Sequence, residues 1–332
     1  MSPSRWLVTG VAGFIGSNLL EVLLESGQQV VGLDNLSTGH RRNLEDVQRR
    51  VGSSRWTNFQ FLESDITQSS DCAKACDGVE YVLHQAALGS VPRSIADPQG
   101  TNQSNVTGFL NMLIAARDAK VKRFVYASSG AVYGDHLGLP KVEDATGKPL
   151  SPYAVTKCVN ELYAEVFSKT YGMECVGLRY FNVFGRRQSP EGPYAAVIPI
   201  WVANMLMGKT CVINGNGATS RDFCYVDNVL QANLLAATTM KAEALNTAYN
   251  IAVGERTALL ELYAMIRDRL ILIRPGLRTR DPHFGPFRTG DIQHSLADIG
   301  KARRQLGYVP THTVAQGLDE AISWYAASRS EQ

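Results

Sequence analysis

The most restrictive feature of the sequence is the segment WLVTGVAGFIGSN near its start, where Gly10, Gly13 and Gly16 directly follow a short apolar run. An apolar run that ends in glycines and leads into an amphipathic stretch predicts a strand, a tight turn and a helix. Glycines at this spacing allow a pyrophosphate to approach the backbone N–H groups that open the helix. The segment therefore predicts a dinucleotide-binding turn.

Asp34 ends the next apolar run, QVVGLD, 18 residues beyond Gly16. A carboxylate at this place can accept hydrogen bonds from both ribose hydroxyls of a dinucleotide and would repel a 2′-phosphate, so we predict NAD rather than NADP. The alternative, a glycine turn with an ordinary solvated acid, is disfavoured because strand, turn, helix and acid occur in the expected order. The ends of later apolar runs would border the adenine and the nicotinamide ribose; these residues are Asp65, Ile66, Gln85, Ala86 and Ala87.

Short apolar runs alternate with amphipathic stretches through the first half of the chain, as in QVVGLD, FQFLESD, VEYVLHQAA and RFVYASS. This alternation predicts an α/β protein with a Rossmann-type, doubly wound parallel sheet. The pattern loosens after about Asn182, where connections rich in Gly and Pro predict a smaller, partly interleaved C-terminal α/β domain for the substrate. We assign 1–183 and 222–256 to the NAD-binding domain, and 184–221 and 257–332 to the substrate-binding domain.

The charge balance favours a small-molecule ligand over a polyanion or a membrane surface. Lys and Arg total 33 against 31 Asp and Glu, a formal net charge of +2, so we predict no nucleic-acid partner and no membrane insertion. The six cysteines form no CxxC pair, and we predict neither a disulfide framework nor a metal site. The chain enters its first strand without a signal-peptide pattern, and we expect a cytoplasmic protein.

A serine, a tyrosine and a lysine form the second chemical signal. Ser151 and Pro152 in SPYAVTK predict a helix start, which places Tyr153 and Lys157 one turn apart on the same helix face. A nearby ammonium, together with the positive nicotinamide ring, favours the phenolate and prepares the tyrosine to take a proton from a substrate hydroxyl. Ser129 ends the strand RFVYASS at the carboxyl edge of the sheet and can hold that hydroxyl.

Several segments together resemble the extended short-chain dehydrogenase/reductase family: TGVAGFIG, LDNLSTG, HQAA, SPYAVTK and RYFNVFG. Within that family, HQAALGSVPRS, GLRYFNVFGRRQ, YAAVIP and NGNGATSRDFCYVDN are similar to bacterial UDP-N-acetylglucosamine 4-epimerases of surface-polysaccharide pathways, including those acting on the corresponding uronic acid. The resemblance implies a catalytic set of Ser129, Tyr153 and Lys157 and a homodimer built on helices around 105–119 and 153–170. Further cofactor contacts that it implies are Phe14, Ile15, Asn35, Ser37, Thr38, Gly39, Asn105 and Tyr180.

The resemblance also implies a UDP-sugar site. A nucleotide diphosphate would be held by Asn182, Arg221 and Arg288, with Asp291 at the uridine ribose. A planar guanidinium suits a phosphate, and both arginines stand beside loops rich in Gly or Thr. The remaining residues of the implied substrate site are Gly89, Ser90, Ser129, Gln188, Ala195, Val197, Ile198, Asn214 and Ser295.

The two positions after Ser129 indicate the reaction type within the family. Dehydratase relatives carry an Asp-Glu pair there and decarboxylating relatives carry a Glu, whereas this chain has Gly130 and Ala131. The resemblance then implies only the shared oxidation step, after which the hydride returns to a 4-keto sugar and C4 is inverted. Where the family usually has SSS, this chain has SSG. The hydroxyl missing at Gly130 is expected to affect the turnover rate more than the reaction type.

Pocket size decides the predicted substrate. Ser295 stands where epimerases restricted to unsubstituted hexoses carry a tyrosine, and a small residue there leaves room for a 2-acetamido group. We therefore predict a UDP-N-acetylhexosamine 4-epimerase, and the sequence leaves open whether C6 is a hydroxymethyl or a carboxylate. Two alternatives remain: a plain UDP-glucose/UDP-galactose 4-epimerase, and a non-catalytic dinucleotide sensor on the same fold.

Overall fold

The structure of the protein, a computed structural model, describes residues 3–191, 195–287 and 293–328. Strands and helices alternate through the first half of the chain. The strands are β1 (Arg5–Thr9), β2 (Gln29–Asp34), β3 (Phe59–Glu63), β4 (Tyr81–His84), β5 (Arg123–Ser129), β6 (Cys175–Tyr180), β7 (Val183–Phe184), β8 (Val212–Asn214), β9 (Ser220–Arg221), β10 (Cys224–Tyr225), β11 (Thr247–Ile251), β12 (Thr257–Ala258) and β13 (His283–Gly285). The α-helices are α1 (Phe14–Glu25), α2 (Arg41–Trp56), α3 (Ser69–Cys76), α4 (Val91–Ala96), α5 (Pro98–Asn102), α6 (Gly108–Asp118), α7 (Pro152–Tyr171), α8 (Val197–Leu206), α9 (Val226–Thr238), α10 (Leu259–Ile273), α11 (Gly300–Leu306) and α12 (Val314–Ser328).

Seven of the described strands form one parallel sheet in the order β11-β6-β5-β4-β1-β2-β3. The strand order reverses beside β1, which pairs with β2 on one side and β4 on the other. In open α/β sheets, ligands bind at this reversal, outside the carboxyl ends of the strands. The prediction of a Rossmann-type parallel sheet is therefore confirmed, and the limits assigned to the two domains stay a prediction.

The core lies on both faces of this sheet. Successive side chains of β1 point to opposite faces: Trp6 and Val8 join one buried apolar cluster, and Leu7 joins the other. Because both faces are covered, the strands read as continuous apolar runs. Cys72 and Cys76 are buried in the second cluster as free thiols, in agreement with a packing role.

Small strand pairs and helices build the second part of the molecule. β7 pairs with β10, β8 with β13 and β9 with β12, while α8 packs against α10 and α12. An isolated bridge from Ser220 to His294 and another from Lys141 to Ala297 attach the segment 293–298 to this part and to the loop before α7. Over the described residues, no helix is both long and apolar enough to cross a bilayer.

Candidate active site

A cleft of about 860 Å³ lies at the carboxyl edge of the sheet. It brings together residues that are as far apart in the chain as Gly10 and Ser295. The predicted site residues that line it are Gly10, Gly13, Phe14, Ile15, Gly16, Asp34, Asn35, Ser37, Thr38, Ile66, Gln85, Ala86, Ala87, Gly89, Ser90, Ser129, Tyr153, Lys157, Tyr180, Asn182, Gln188, Arg221 and Ser295.

Other predicted residues do not line the cleft. Ile198 is buried in the core of the second part, and Asn214 ends β8, where it pairs with Gly285. Val197 begins α8 and Ala195 lies two residues before it, and both are outside the lining. Gly39, Asp65 and Asn105 lie behind the walls of the cleft. Arg288 and Asp291 lie outside the described residues, so their predicted roles stay predictions.

The glycine turn fits a dinucleotide because side chains are excluded from it. Gly10 has a φ of +66°, which favours glycine, and a Cβ on Gly16 would lie 2.0 Å from the carbonyl oxygen of Gly10. Helix α1 begins directly after Gly13, with no acidic residue in its first turn. Its free N–H groups and positive dipole end therefore face the cleft, where the pyrophosphate of NAD would be held.

Asp34 ends β2 at the wall of the cleft. Its carboxylate accepts hydrogen bonds from the backbone N–H groups of Ala12 at 2.9 Å and Leu36 at 2.8 Å. Burial raises the pKa of Asp34, while these two hydrogen bonds lower it. A Cβ on Gly39 would lie 2.9 Å from the Asp34 carboxylate, so this position requires a glycine for the loop to close.

The loops after β2 and β3 are tied together behind the cleft wall. Asn35 donates a hydrogen bond to the Asp65 carboxylate at 2.8 Å, and Asp65 also accepts one from the N–H of Thr67. The pKa of Asp65 is lowered: burial raises it, and the hydrogen bonds from Thr67 and Asn35 together outweigh that effect. Asp65 therefore supports the cofactor wall as an ionised acceptor.

The helix that carries the predicted catalytic residues Tyr153 and Lys157 starts as expected. The Ser151 hydroxyl accepts a hydrogen bond from the N–H of Ala154 at 3.2 Å, and Pro152 occupies the first position of α7. Tyr153 and Lys157 both line the cleft, with the Lys157 Nζ 5.8 Å from the centre of the Tyr153 ring. Lys157 also donates a hydrogen bond to the carbonyl of Ala127 at 2.8 Å. This bond ties the lysine to β5, two residues before Ser129.

Burial governs the protonation of both side chains. It raises the pKa of Tyr153, while hydrogen bonding to Ser129 lowers it. Burial lowers the pKa of Lys157 to about 8, and the Glu161 carboxylate, one turn further along α7, acts in the opposite direction. The lowering of the Tyr153 pKa expected from the sequence depends partly on the positive charge of bound nicotinamide, and it stays a prediction.

Asn105 supports the wall between β4 and α7. Its side chain accepts a hydrogen bond from the N–H of Leu88 at 2.7 Å and donates to the Leu88 carbonyl at 3.0 Å and the Thr156 hydroxyl at 3.2 Å. The helix expected around 105–119 begins at Gly108, because a π-helical turn over Gln103–Thr107 precedes it and carries Asn105. Asn105 thus positions Leu88, which lines the cleft.

A closed ring of hydrogen bonds fixes the floor of the cleft. The Tyr180 hydroxyl donates to Gln85 at 3.1 Å and accepts from Asn233 at 2.8 Å, and Gln85 donates to Asn233 at 3.0 Å. Asn233 comes from α9 and was missed by sequence reasoning, because a polar residue in an apolar helix carries no chemical signal of its own. The apolar lining residues Leu88, Val91, Pro92 and Phe181 were also missed, because an apolar side chain carries no chemical signal that distinguishes a site from the core.

The substrate side combines strained backbone with open space. Ser90 has a φ of +95°, unusual for a residue with a side chain, and its hydroxyl caps α4 by accepting from the N–H of Arg93. A Cβ placed on Gly89 would have no atom within 4 Å. Across the cleft, Ser295 donates a backbone hydrogen bond to the Ser220 carbonyl at 3.1 Å, next to Arg221.

The sequence from residue 6 to 252 matches the model of the NAD dependent epimerase/dehydratase family. The chain belongs to this family. The prediction of NAD as cofactor is thereby confirmed. The predicted likeness to UDP-sugar 4-epimerases is confirmed by the relatives of the chain.

Known relatives match almost the full length of the chain. A UDP-N-acetylglucosamine 4-epimerase from Methanobrevibacter ruminantium M1, solved in complex with UDP-N-acetylmuramic acid, is 36% identical, with a TM-score of 0.89 over 99% of this chain and 100% of that one. A UDP-glucuronic acid 4-epimerase from Bacillus cereus, solved with UDP-glucuronic acid and NAD, is 32% identical, with a TM-score of 0.85 over 98% and 99%. A UDP-glucose 4-epimerase from Mycolicibacterium smegmatis is 34% identical over 97% and 98% of the two chains.

We expect purified protein to retain NAD and to turn over without added nicotinamide cofactor. An epimerisation returns the hydride in each cycle, and the glycine turn with Asp34 offers a site in which the cofactor can stay. Acid-released nucleotide from freshly purified protein, measured by chromatography, gives the NAD content. Protein that contains no NAD and consumes added NAD in proportion to product would contradict this expectation.

Proposed function

We propose that this family member is an NAD-dependent UDP-N-acetylhexosamine 4-epimerase. The observation that carries the proposal is a single cleft in which Ser129, Tyr153 and Lys157 meet the glycine turn and Asp34, with Gly130 and Ala131 in place of acidic residues. The three relatives described above all bear the names of UDP-sugar 4-epimerases, which supports the reaction type.

The residues of the cleft divide the reaction between them. NAD, when bound, supplies the acceptor and the donor of the C4 hydride. Tyr153 takes the proton of the C4 hydroxyl as the ketone forms and returns a proton when the ketone is reduced. Lys157 favours the phenolate form of Tyr153, and Ser129 orients the C4 hydroxyl of the sugar. Gly130 and Ala131 offer no acid for elimination, so the ketone is reduced again. C4 is inverted when the keto sugar turns over and presents its opposite face before this reduction.

The acetamido preference rests on the shape of the substrate side. Gly89 borders open space, and Ser295 presents a small side chain to the same cleft. UDP-N-acetylmuramic acid, the molecule bound to the Methanobrevibacter ruminantium relative, also carries an acetamido group. The second candidate is a UDP-glucose 4-epimerase, which the name of the Mycolicibacterium smegmatis relative favours. A non-catalytic sensor is disfavoured, because Tyr153 and Lys157 are both present in the cleft.

The finer biological setting is part of the same proposal. We place the enzyme in the cytoplasm, in the synthesis of a surface polysaccharide, and as a homodimer. Support for the dimer comes from α7, where Val155, Leu162 and Val166 are 48%, 61% and 52% exposed. Several exposed apolar side chains along one helix suit contact with a second copy of the chain.

The test is a comparison of three substrates. Purified protein is incubated with UDP-N-acetylglucosamine, its 6-uronate and UDP-glucose, and the 4-epimers are resolved by chromatography. We expect an equilibrium mixture of 4-epimers from one or both acetamido sugars and a lower kcat/KM for UDP-glucose. A higher kcat/KM for UDP-glucose would assign the second candidate, and no turnover of any of the three would remove the proposal.

A further inference from the structure

Asp222 is a buried acid outside the catalytic set. Its side chain is 0% exposed, although it directly follows Arg221, which lines the cleft. The described residues place no lysine or arginine within ion-pair distance of the carboxylate. A buried carboxylate without a counter-charge needs several hydrogen-bond donors to remain ionised.

Three backbone N–H groups from two separate segments supply those donors. Oδ1 accepts from Val253 at 3.0 Å, and Oδ2 accepts from Gly254 at 3.1 Å and Ala297 at 3.3 Å. Val253 and Gly254 lie just beyond β11, the edge strand of the cofactor sheet, from which Ala252 separates them. Ala297 lies two residues after Ser295. One carboxylate therefore joins the cofactor sheet to the segment that forms the substrate wall.

The surroundings of Asp222 hold other substrate-side residues. Its backbone carbonyl accepts a hydrogen bond from the Asn182 side chain at 3.3 Å, and Asn182 lines the cleft with a φ of +31°. Gly254 has a φ of +83°, and a Cβ there would meet Ile299 at 3.4 Å, so the two segments approach closely.

We propose that Asp222 is a positioning residue for UDP-sugar binding, which holds the segment carrying Ser295 against the end of the cofactor sheet and keeps Arg221 and Asn182 in place. The inference requires that the chain binds a UDP-sugar, but it does not depend on the preference for an acetamido group. The carboxylate acts through backbone groups and does not itself reach the cleft.

The ionisation of Asp222 gives the proposal a distinctive signature. Burial raises the pKa of Asp222 to about 6, the three N–H groups lower it, and the Glu255 carboxylate raises it. Protonation turns one acceptor oxygen into a hydroxyl, which cannot accept equally well from an N–H. Because the pKa in the folded state lies above the ordinary aspartate value of 3.8, folding stability falls as the pH rises from 3.8 to about 6 and stays lower above that range.

The pH dependence of Asp222 has to be distinguished from the effects of neighbouring polar groups. Cys224 and Tyr308 are buried, and burial raises the pKa of both, to about 12 for Cys224, so neither ionises near neutral pH. His294 bonds through Nδ1 to the Ser220 hydroxyl at 2.9 Å, on the same segment as Ser295. His294→Asn therefore serves as the matched control.

The experiment measures KM, kcat and NAD content from about pH 5 to about pH 8 for the wild type, Asp222→Asn and His294→Asn. We expect the wild-type KM for the UDP-sugar to rise as the pH falls through the titration range of Asp222, with a smaller change in kcat. This rise in KM at low pH is the acid limb of the profile. Asp222→Asn places an amide donor against backbone donors, so we expect a KM at least about tenfold higher near neutral pH, without the acid limb and with unchanged NAD content. We expect His294→Asn to keep the limb.

Three results would overturn the proposal: a flat wild-type KM, a wild-type KM in an Asp222→Asn protein that retains NAD, or loss of the acid limb in His294→Asn. If Asp222→Asn does not fold, the wild-type and His294→Asn profiles still decide. If no UDP-sugar is turned over, the proposed function fails, and the affinity for UDP-N-acetylglucosamine over the same pH range, measured by calorimetry, tests Asp222 separately.

Discussion

Tyr153→Phe is expected to lower kcat by on the order of a hundredfold or more while leaving UDP-sugar affinity and NAD content close to those of the wild type. The substitution removes only the phenolic oxygen, and Tyr153 is the cleft residue assigned to exchange the proton of the C4 hydroxyl. The ring that packs near Lys157 is retained, so the cleft keeps its shape. Steady-state rates, cofactor content and calorimetric binding of the UDP-sugar separate these effects.

Two companion variants sharpen that result. Tyr163→Phe changes a partly buried tyrosine on the same helix that does not line the cleft, and we expect near-wild-type rates. Ser129→Ala should be milder than Tyr153→Phe, because Ser129 orients the hydroxyl and does not take its proton. Near-normal turnover in Tyr153→Phe would remove this residue from the mechanism.

Ser295→Tyr is expected to reverse much of the substrate preference. A bulky ring at this wall would occupy the space in which the acetamido group must lie before and after the sugar turns over. Overpacking a filled site costs about 1 to 3 kcal/mol, so the ratio of kcat/KM for UDP-N-acetylglucosamine over UDP-glucose should fall roughly 5- to 150-fold. The ratio is measured on one preparation, so errors in active-enzyme concentration cancel.

Ser295→Ala is the matched control for bulk. It removes the hydroxyl without adding volume, and we expect it to leave the ratio nearly unchanged. An unchanged ratio in a folded, active Ser295→Tyr protein would show that Ser295 does not line the acetamido pocket. The substrate proposal would then be reduced to an unspecified UDP-hexose.

The features that local sequence determines could be predicted. The start of α7 follows from Ser151 and Pro152, because capping depends on a few neighbouring residues. The glycine turn follows from its spacing, and a Cβ at Gly16 would collide with Gly10. The parallel sheet follows from the repeated strand and helix patterns, because parallel neighbours need a crossover connection.

The features that depend on distant contacts could not be predicted. The π-helical turn at Asn105 is formed where this side chain bonds to Leu88 and Thr156, which no local pattern encodes. Asp222 stands in the segment TSRDF, which contributed to the family resemblance, yet its partners lie about 30 and 75 residues away. Family likeness placed Ile198 and Asn214 at the substrate, whereas the structure has them outside the cleft lining.

The position of β11 has a consequence for the order in which the chain can fold during synthesis. β11 pairs with β6, from which it is separated by residues 181–246, and it supplies one edge of the seven-stranded sheet. Until residue 251 has left the ribosome, β6 remains an open edge with unpaired backbone groups. The seven-stranded sheet therefore cannot be completed by a contiguous amino-terminal fragment. Its completion requires β11 to be synthesised and to pair with β6, which closes a long loop.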